Sequence, residues 1–321
     1  MTLTQLNAFV LVARLGSVTA AANALGVSES AVSQALTALR MHLGDQLLTR
    51  GPAGMTLTPG GSRLLPTASQ IVVLGAEAHA AVRAAQGAPD QLRVVATSTV
   101  AEFVITPLIE AFTKRFASAI EVTSGVAATR EIPVLVANRL ADVAIGPAVP
   151  ADPGLPVVSE PIFKYRLVVV NAGQSKTAAQ HRPPGGVRSW RWLVGPSATD
   201  PGSDISKFLA ALRIPDDKIG VCPSQTAAWA AAADGAGVSI AVEHLVAHQV
   251  RRGELALVDV PGAPAEGYWH ATLLDRQQRS PVASSLRRFL STPEAMHLMR
   301  SPAAGVPPSR FRPPVYVTIW S

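Results

Sequence analysis

A single cysteine, Cys222, stands among 321 residues, so the chain can form no intramolecular disulfide and no cysteine-based zinc site. As a lone thiol it reads as a small buried apolar side chain. Aromatic residues are scarce at 5% and charged residues make up only 16%, whereas apolar residues reach 48%. Such a balance supports a large folded core and excludes extended disorder, apart from the proline-rich stretch 301–321. Uninterrupted apolar runs of the roughly 20 residues needed to span a bilayer are missing; the most apolar stretch, 226–242, is broken by Asp234, Gly235 and Gly237. No basic segment precedes Leu3, and the apolar residues after it are spaced rather than blocked. The start therefore does not read as a secretory signal, and a cytoplasmic location is expected.

Catalytic signatures are also lacking. Neither a nucleophile elbow, nor a phosphate loop, nor a paired-carboxylate motif occurs. Gly235-Ala236-Gly237 begins like a dinucleotide fingerprint but has no third glycine and precedes a strand instead of following one. His244 and His248 lie four apart, as metal ligands on a helix can, yet no carboxylate or cysteine completes a set. A surface or partly buried pair is the simpler reading. No catalytic residue, metal or cofactor is assigned, and the chain is not expected to be an enzyme.

Positive charge is present but badly placed for a simple argument. The net charge is +6, yet residues 1–63 hold only Arg14, Arg40, Arg50 and Arg63 against Glu29 and Asp45. Bulk charge cannot carry a case for nucleic-acid binding; pattern can. Leu3, Leu6, Phe9, Val10 and Ala13 recur at helical spacing up to Gly16. Ser17 reads as the N-cap of a helix over 18–25, Gly26 as its left-handed terminator, and Ser28 as the cap of a third helix ending at Gly44. Two short helices joined by Gly26-Val27-Ser28 form the skeleton of a helix-turn-helix. Ala21, Ala22, Leu25, Val27, Val32 and Ala35 are expected to fill the space between them, and Val32, Leu36, Leu39 and Leu43 to form one buried stripe. The opposite face of the third helix shows Ser30, Ser33, Gln34 and Thr37, short polar groups suited to base edges and phosphates.

Gly16-Ser17, Ala21-Ala22, Leu25, Ser28, Ala31-Val32-Ser33, Leu36, Leu39, Leu43-Gly44, Leu47, Arg50 and Leu57-Thr58-Pro59 with Gly61 together resemble the winged helix-turn-helix of LysR-type transcriptional regulators. The resemblance implies that the third helix reads the major groove while residues 45–58 form a wing. It makes Ser28, Ser30, Ser33 and Gln34 recognition candidates and Arg50 a phosphate or minor-groove contact. Ser17 and Thr19 would meet phosphate at the start of the second helix, where the helix dipole favours an anion; capping alone also accounts for Ser17. Two departures stand out. Glu29 replaces a usual glutamine, repelling phosphate while able to accept from a cytosine amino group. Arg40 replaces a usual acid, adding charge near the DNA face or at a dimer contact.

Beyond Ser62, the residues Leu64, Ala68, Ile71, Gly75, Ala78, Val82 and Ala85 follow steps of four and three, a heptad seam. Pro66 suggests that this helix begins only there. An ordinary amphipathic helix packed on its own domain fits the same spacing; the resemblance implies a dimer helix. Gly87-Ala88-Pro89-Asp90 reads as a hinge. Further on, strands are expected at 92–96, 120–123, 142–145, 167–170, 192–194, 218–222, 237–242 and 255–258, with helices at 100–116 and 131–138. Strands alternating with helices argue for an α/β sheet.

Ile105-Thr106-Pro107-Leu108, residues 140–145, residues 234–238 and Gly253-Glu254-Leu255 are similar to the LysR effector domain. The fold expected is thus α/β: an N-terminal winged helix-turn-helix (1–60), a long linker or dimerisation helix (61–87), and a two-lobed, Rossmann-like effector domain related to periplasmic binding proteins (88–300), then the tail 301–321. Ligands of such sheets settle at the C-terminal strand ends, which nominates Thr97, Ser98, Thr99, Gly146, Pro147, Ser197, Thr199 and Thr226; caps and turns would use the same residue types. The resemblance implies double-stranded DNA with an interrupted palindrome and a small-molecule effector as partners, with RNA polymerase as a further one, and a homodimer or homotetramer. The competing reading is a solute-binding α/β protein without DNA activity. It requires an export signal and no helix-turn-helix, the reverse of what the sequence holds.

Overall fold

The computed structural model describes residues 1–51, 54–115, 120–173 and 186–301. The expected tail and the end of the helix placed over 100–116 lie outside these residues. The chain opens with α1 (Leu3–Leu15), α2 (Val18–Leu25) and α3 (Glu29–Leu43), each ended by a left-handed glycine: Gly16, Gly26 and Gly44. Hydroxyl caps start them. Thr2, Ser17 and Ser28 accept hydrogen bonds from the backbone amides of Gln5, Ala20 and Ala31, pairing donors that helix geometry leaves open. Phe9, Leu11, Ala21, Val32 and Leu39 meet in one buried cluster.

A two-stranded wing follows, β1 (Leu48–Gly51) and β2 (Gly54–Leu57), in antiparallel register. The linker helix α4 (Pro59–Ala85) starts at Pro59, not at Pro66 as the sequence suggested. Thr58 explains the difference: its hydroxyl accepts from the Gly61 amide at 2.9 Å, and a proline at the first helical position loses no needed donor. Pro66 is accommodated inside the helix with its ring exposed to solvent.

Beyond the linker come β3 (Asp90–Ala96), a helical stretch made of α5 (Ser98–Val100), a π-helical turn (Ala101–Ile105) and α6 (Thr106–Thr113), then β4 (Ile120–Val126), α7 (Ile132–Ala137) and β5 (Val143–Gly146). Next are β6 (Val157–Ala172), β7 (Trp192–Val194), α8 (Asp204–Leu212), β8 (Ile219–Val221), α9 (Gln225–Ala233), β9 (Val238–Val242), α10 (Glu243–Arg251), β10 (Leu255–Val258), β11 (Ala265–Leu274), α11 (Pro281–Phe289) and α12 (Pro293–Arg300). The strand order is β4-β3-β5-β11-β6-β9-β7-β8, with β10 pairing β6. β3 runs parallel to β4 and β5 in one half, and β7 parallel to β8 and β9 in the other. Between the halves lie the long antiparallel strands β6 and β11. Two Rossmann-like lobes therefore share one curled mixed sheet, and the C-terminal ends of both parallel sets face the junction. That arrangement creates the cleft.

The long strands are the main departure from the sequence reading, which placed only 167–170 in β6 and nothing over β11. Pro161 interrupts β6, and the register shifts between Trp269 and His270, where Phe163 and Pro161 are the successive partners. A proline and a bulge break the alternation by which strands are recognised.

Candidate functional site

The first helices leave a polar face open. Thr19, Ser28, Glu29, Ser30, Ser33, Gln34, Thr37 and Arg50 are all exposed, and Ser17 is half-buried. Ser28 is committed locally, its hydroxyl accepting from the Ala31 amide at 3.2 Å and lying 2.8 Å from the Ser30 hydroxyl. Thr37 donates to the Ser33 carbonyl at 2.9 Å. Ser33 and Gln34 project a hydroxyl and an amide from the same helical face, neither engaged by another group among the described residues.

The wing is held against the helices from two sides. Arg40, read as a charge near DNA or a dimer contact, instead donates to the carbonyls of Gln46 at 2.8 Å and Leu48 at 3.1 Å, fastening the wing to α3. Asp45 accepts from the Leu47 amide at 2.6 Å and from the Thr58 hydroxyl at 2.8 Å. The Leu47 amide, then the Thr58 hydroxyl, hold its carboxyl below the usual carboxylate range. Gly61 lets α4 approach this turn, since a Cβ there would lie 2.0 Å from the Leu47 carbonyl oxygen. Leu43 and Val27, expected in the core, are 41% and 42% exposed, Leu43 as the last residue of α3 and Val27 in the turn between α2 and α3.

The heptad seam of α4 divides. Ala68 is buried in the helix-turn-helix core, and Gly75 lies against Leu3, where a Cβ would come within 2.6 Å of that side chain. Ile71 and Val82 stay open at 37% and 58% exposure. Part of the stripe thus belongs to the domain's own packing, and part stays exposed among the described residues.

The junction of the lobes encloses a cavity of about 30 Å³, lined by Thr97, Thr99, Pro147, Ser197, Tyr165 and Asp204, with Leu167, Ser203, Ile205, Val242 and Trp269 completing the wall. Four of the nominated residues, Thr97, Thr99, Pro147 and Ser197, meet there. Gly146 borders it through Thr97, whose side chain a Cβ at Gly146 would strike at 2.8 Å. Ser98 is half-buried outside the lining, and Thr199 is exposed, its hydroxyl turned back onto the Pro196 carbonyl. Tyr165, Ser203, Asp204 and Trp269 were missed. Tyr165 and Trp269 lie on the long strands that the sequence reading passed over, and Ser203 is the N-cap of α8.

Tyr165 donates its phenol proton to Asp204. Burial pushes that phenol well above its usual range, and the Asp204 carboxylate adds to the effect by charge and hydrogen bond. Gly267, cross-strand from Tyr165, makes room for the ring, because a Cβ there would lie 2.5 Å from it. His244 packs edge-on against Phe163 and Trp269. Burial pushes its imidazole down to about 4, so packing, with no metal ligand set around it, accounts for this residue. Among the described residues no group of acidic, histidine and cysteine side chains could hold a metal ion, and no helix is long and apolar enough to cross a membrane.

Among the described residues, hydrogen bonds at three places tie one lobe to the other across the cleft. Thr99 and Ser197 hydroxyls lie 3.1 Å apart. Asp200 accepts from the Thr129 amide at 2.6 Å, just ahead of α7. Glu102, carried on the π-helical turn, accepts from the backbone amides of Gln225 at 3.0 Å and Thr226 at 2.9 Å and from the Thr226 hydroxyl. Thr226 is therefore engaged by Glu102 outside the cavity. Phe103 beside it stacks on Trp229 of α9 with ring centroids 5.0 Å apart.

Comparison with known proteins agrees with this architecture. The family described as "Bacterial regulatory helix-turn-helix protein, lysR family" matches residues 3–62, and "LysR substrate binding domain" matches residues 85–292. An uncharacterized HTH-type transcriptional regulator of Mycobacterium tuberculosis is 37% identical over the whole of both chains. The HTH-type transcriptional regulator PtxR of Pseudomonas aeruginosa is 30% identical over 82% of this chain and 83% of its own. Among solved structures, full-length CbnR complexed with its target DNA aligns with a TM-score of 0.51 at 21% identity, covering 90% of this chain and 99% of that one. ArgP from Mycobacterium tuberculosis aligns with a TM-score of 0.55 at 20% identity, covering 91% and 96%. A helix-turn-helix with a wing, a linker helix and a two-lobed α/β domain, matched in this order along nearly the whole chain, make this protein a member of the LysR family of transcriptional regulators.

Proposed function

We propose that this DNA-binding, effector-controlled regulator acts in the cytoplasm as a homodimer or homotetramer on an interrupted palindrome. In this reading α3 enters the major groove, where Ser28, Glu29, Ser30, Ser33, Gln34 and Thr37 face the bases. Ser17, Thr19 and Arg50 meet the backbone at the start of α2 and on the wing. Residues 1–60 serve as the reading head, 61–87 as the dimer helix, 88–300 as the sensor and 301–321 as a tail. The open seam residues Ile71 and Val82 support a second copy beside α4.

Effector entry into the interlobe cleft shifts the balance between arrangements of the lobes. Asp200 grips the loop before α7, and Val134 of α7 packs into the helix-turn-helix cluster. A change at the cleft therefore has a contiguous route to the reading head, and access for RNA polymerase follows from the spacing of the two heads.

The observation that carries the DNA reading is the unengaged pair Ser33 and Gln34 on the exposed face of α3. Ser33→Ala and Gln34→Ala are each expected to weaken operator binding by about 1–3 kcal/mol, the worth of a good base contact. Genome-wide mapping of bound fragments supplies the operator, and fluorescence anisotropy measures the change. Unaltered affinity in both variants removes α3's central face from recognition.

A further inference from the structure

The walls of the interlobe cavity are uneven in charge, and this bears on what enters it. Thr97, Thr99, Ser197 and Ser203 offer neutral hydroxyls, and among the described residues Asp204 is the single charged side chain in the lining. No lysine, arginine or histidine among the described residues lines it. An anion entering the cleft would meet this carboxylate and, among the described residues, no cationic side chain. The nearby start of α9, where backbone amides would welcome an anion, is already taken by the Glu102 carboxylate.

We propose that the effector of this chain carries a cationic nitrogen, an ammonium or guanidinium group, received by the Asp204 carboxylate. The inference rests on the reading of the cleft as the sensory site and deepens it. Asp204 has capacity left. One oxygen accepts from Tyr165 and the other lies 3.5 Å from the Lys207 ammonium, which is 56% exposed and outside the lining. A carboxylate offers about four lone-pair sites. Tyr165 and Trp269, buried at the same wall, add aromatic rings beside which a cation is favoured. A hard metal ion is a poorer occupant, because it takes about six to eight oxygens with several carboxylates among them. At about 30 Å³ the cavity admits little more than a water-sized group, so the cleft must widen for the effector to enter.

Isothermal titration calorimetry of the full chain tests this with two trios matched in size: ethanolamine, ethylene glycol and glycolate; putrescine, 1,4-butanediol and succinate. The cationic member of each trio is expected to bind at least about tenfold more tightly than its neutral and anionic counterparts, the worth of one charge-assisted hydrogen bond. Asp204→Asn is expected to erase that preference, and the wild-type ratios decide the matter if the variant does not fold. Preference for the alcohol or the acid, silence from both trios, or cation binding unchanged in Asp204→Asn overturns the proposal. Gly267→Ala separates two kinds of failure, since it forces the Tyr165 ring out of its place. Anion binding abolished by Gly267→Ala leaves the cleft as the sensor and overturns only the cationic assignment. Binding of every charge class that ignores Gly267→Ala overturns both.

Discussion

The contact between Glu102 and the start of α9 is the most exacting test of how the lobes are held. A helix begins with backbone amides that have no partner inside it. In α9, Ser224 accepts from the Ala227 amide at 3.0 Å, and Glu102 from the other lobe accepts from those of Gln225 and Thr226. One carboxylate thus completes the cap of a helix to which it is not connected by neighbouring sequence. A hydrogen bond to a charged group contributes about 1.5–3 kcal/mol when shielded, and an exposed ion contact about 0–1 kcal/mol. The Gln225 bond is partly buried and those to Thr226 are exposed. The whole contact is therefore expected to hold the lobes by about 1–3 kcal/mol, with the helix dipole included.

Glu102→Ala should raise the rate of amide hydrogen exchange at residues 225 and 226 by about fivefold to 150-fold, since 1.4 kcal/mol is a factor of ten. Glu102→Gln should fall between, keeping an acceptor but losing the charge. Exchange in α1 and α3 of the helix-turn-helix should stay as in the wild type. Mass-spectrometric exchange on the intact chain resolves these regions. Unchanged exchange at 225 and 226 refutes the latch, and a uniform rise across the domain shows that Glu102 supports the fold at large.

Two further outcomes follow from single groups. Gly61→Ala places a Cβ 2.0 Å from the Leu47 carbonyl oxygen, so the backbone must move; a loss of about 1–3 kcal/mol in stability of the reading head is expected by analogy with overpacking, read by thermal denaturation together with operator affinity, and an unshifted melting point refutes the close approach. His244 has a folded value of about 4 against 6.5 when unperturbed, so between these the unfolded chain binds a proton that the folded one does not, and stability present above pH 6.5 is lost as pH falls toward 4. The loss approaches about 3 kcal/mol at 1.36 kcal/mol per pH unit. His244→Phe should flatten that part of the urea-denaturation profile, and parallel profiles for variant and wild type refute it.

How much of this was legible depended on the range of the forces involved. The caps Ser17 and Ser28 and the terminators Gly16, Gly26 and Gly44 act within one turn of their own helix, so they could be read directly and recur in place. Arg40 could not, since its carbonyl partners, Gln46 and Leu48, become neighbours only when the wing folds back. The cleft divides in the same way. Thr97, Thr99, Pro147 and Ser197 follow strands whose ends point to the junction by topology alone, and the sequence nominates them. Tyr165 and Trp269 reach the cavity from the interior of β6 and β11, which the chain brings together across about a hundred residues. Their placement depends on a register that Pro161 and the bulge at Trp269 shift out of simple alternation. Gly267 completes the dependence, for its missing side chain has meaning only once Tyr165 lies opposite. The chemistry of a ligand site between two lobes is thus written in cross-strand pairs, and a reading confined to local periodicity finds the rim of the cleft before it finds the charge inside.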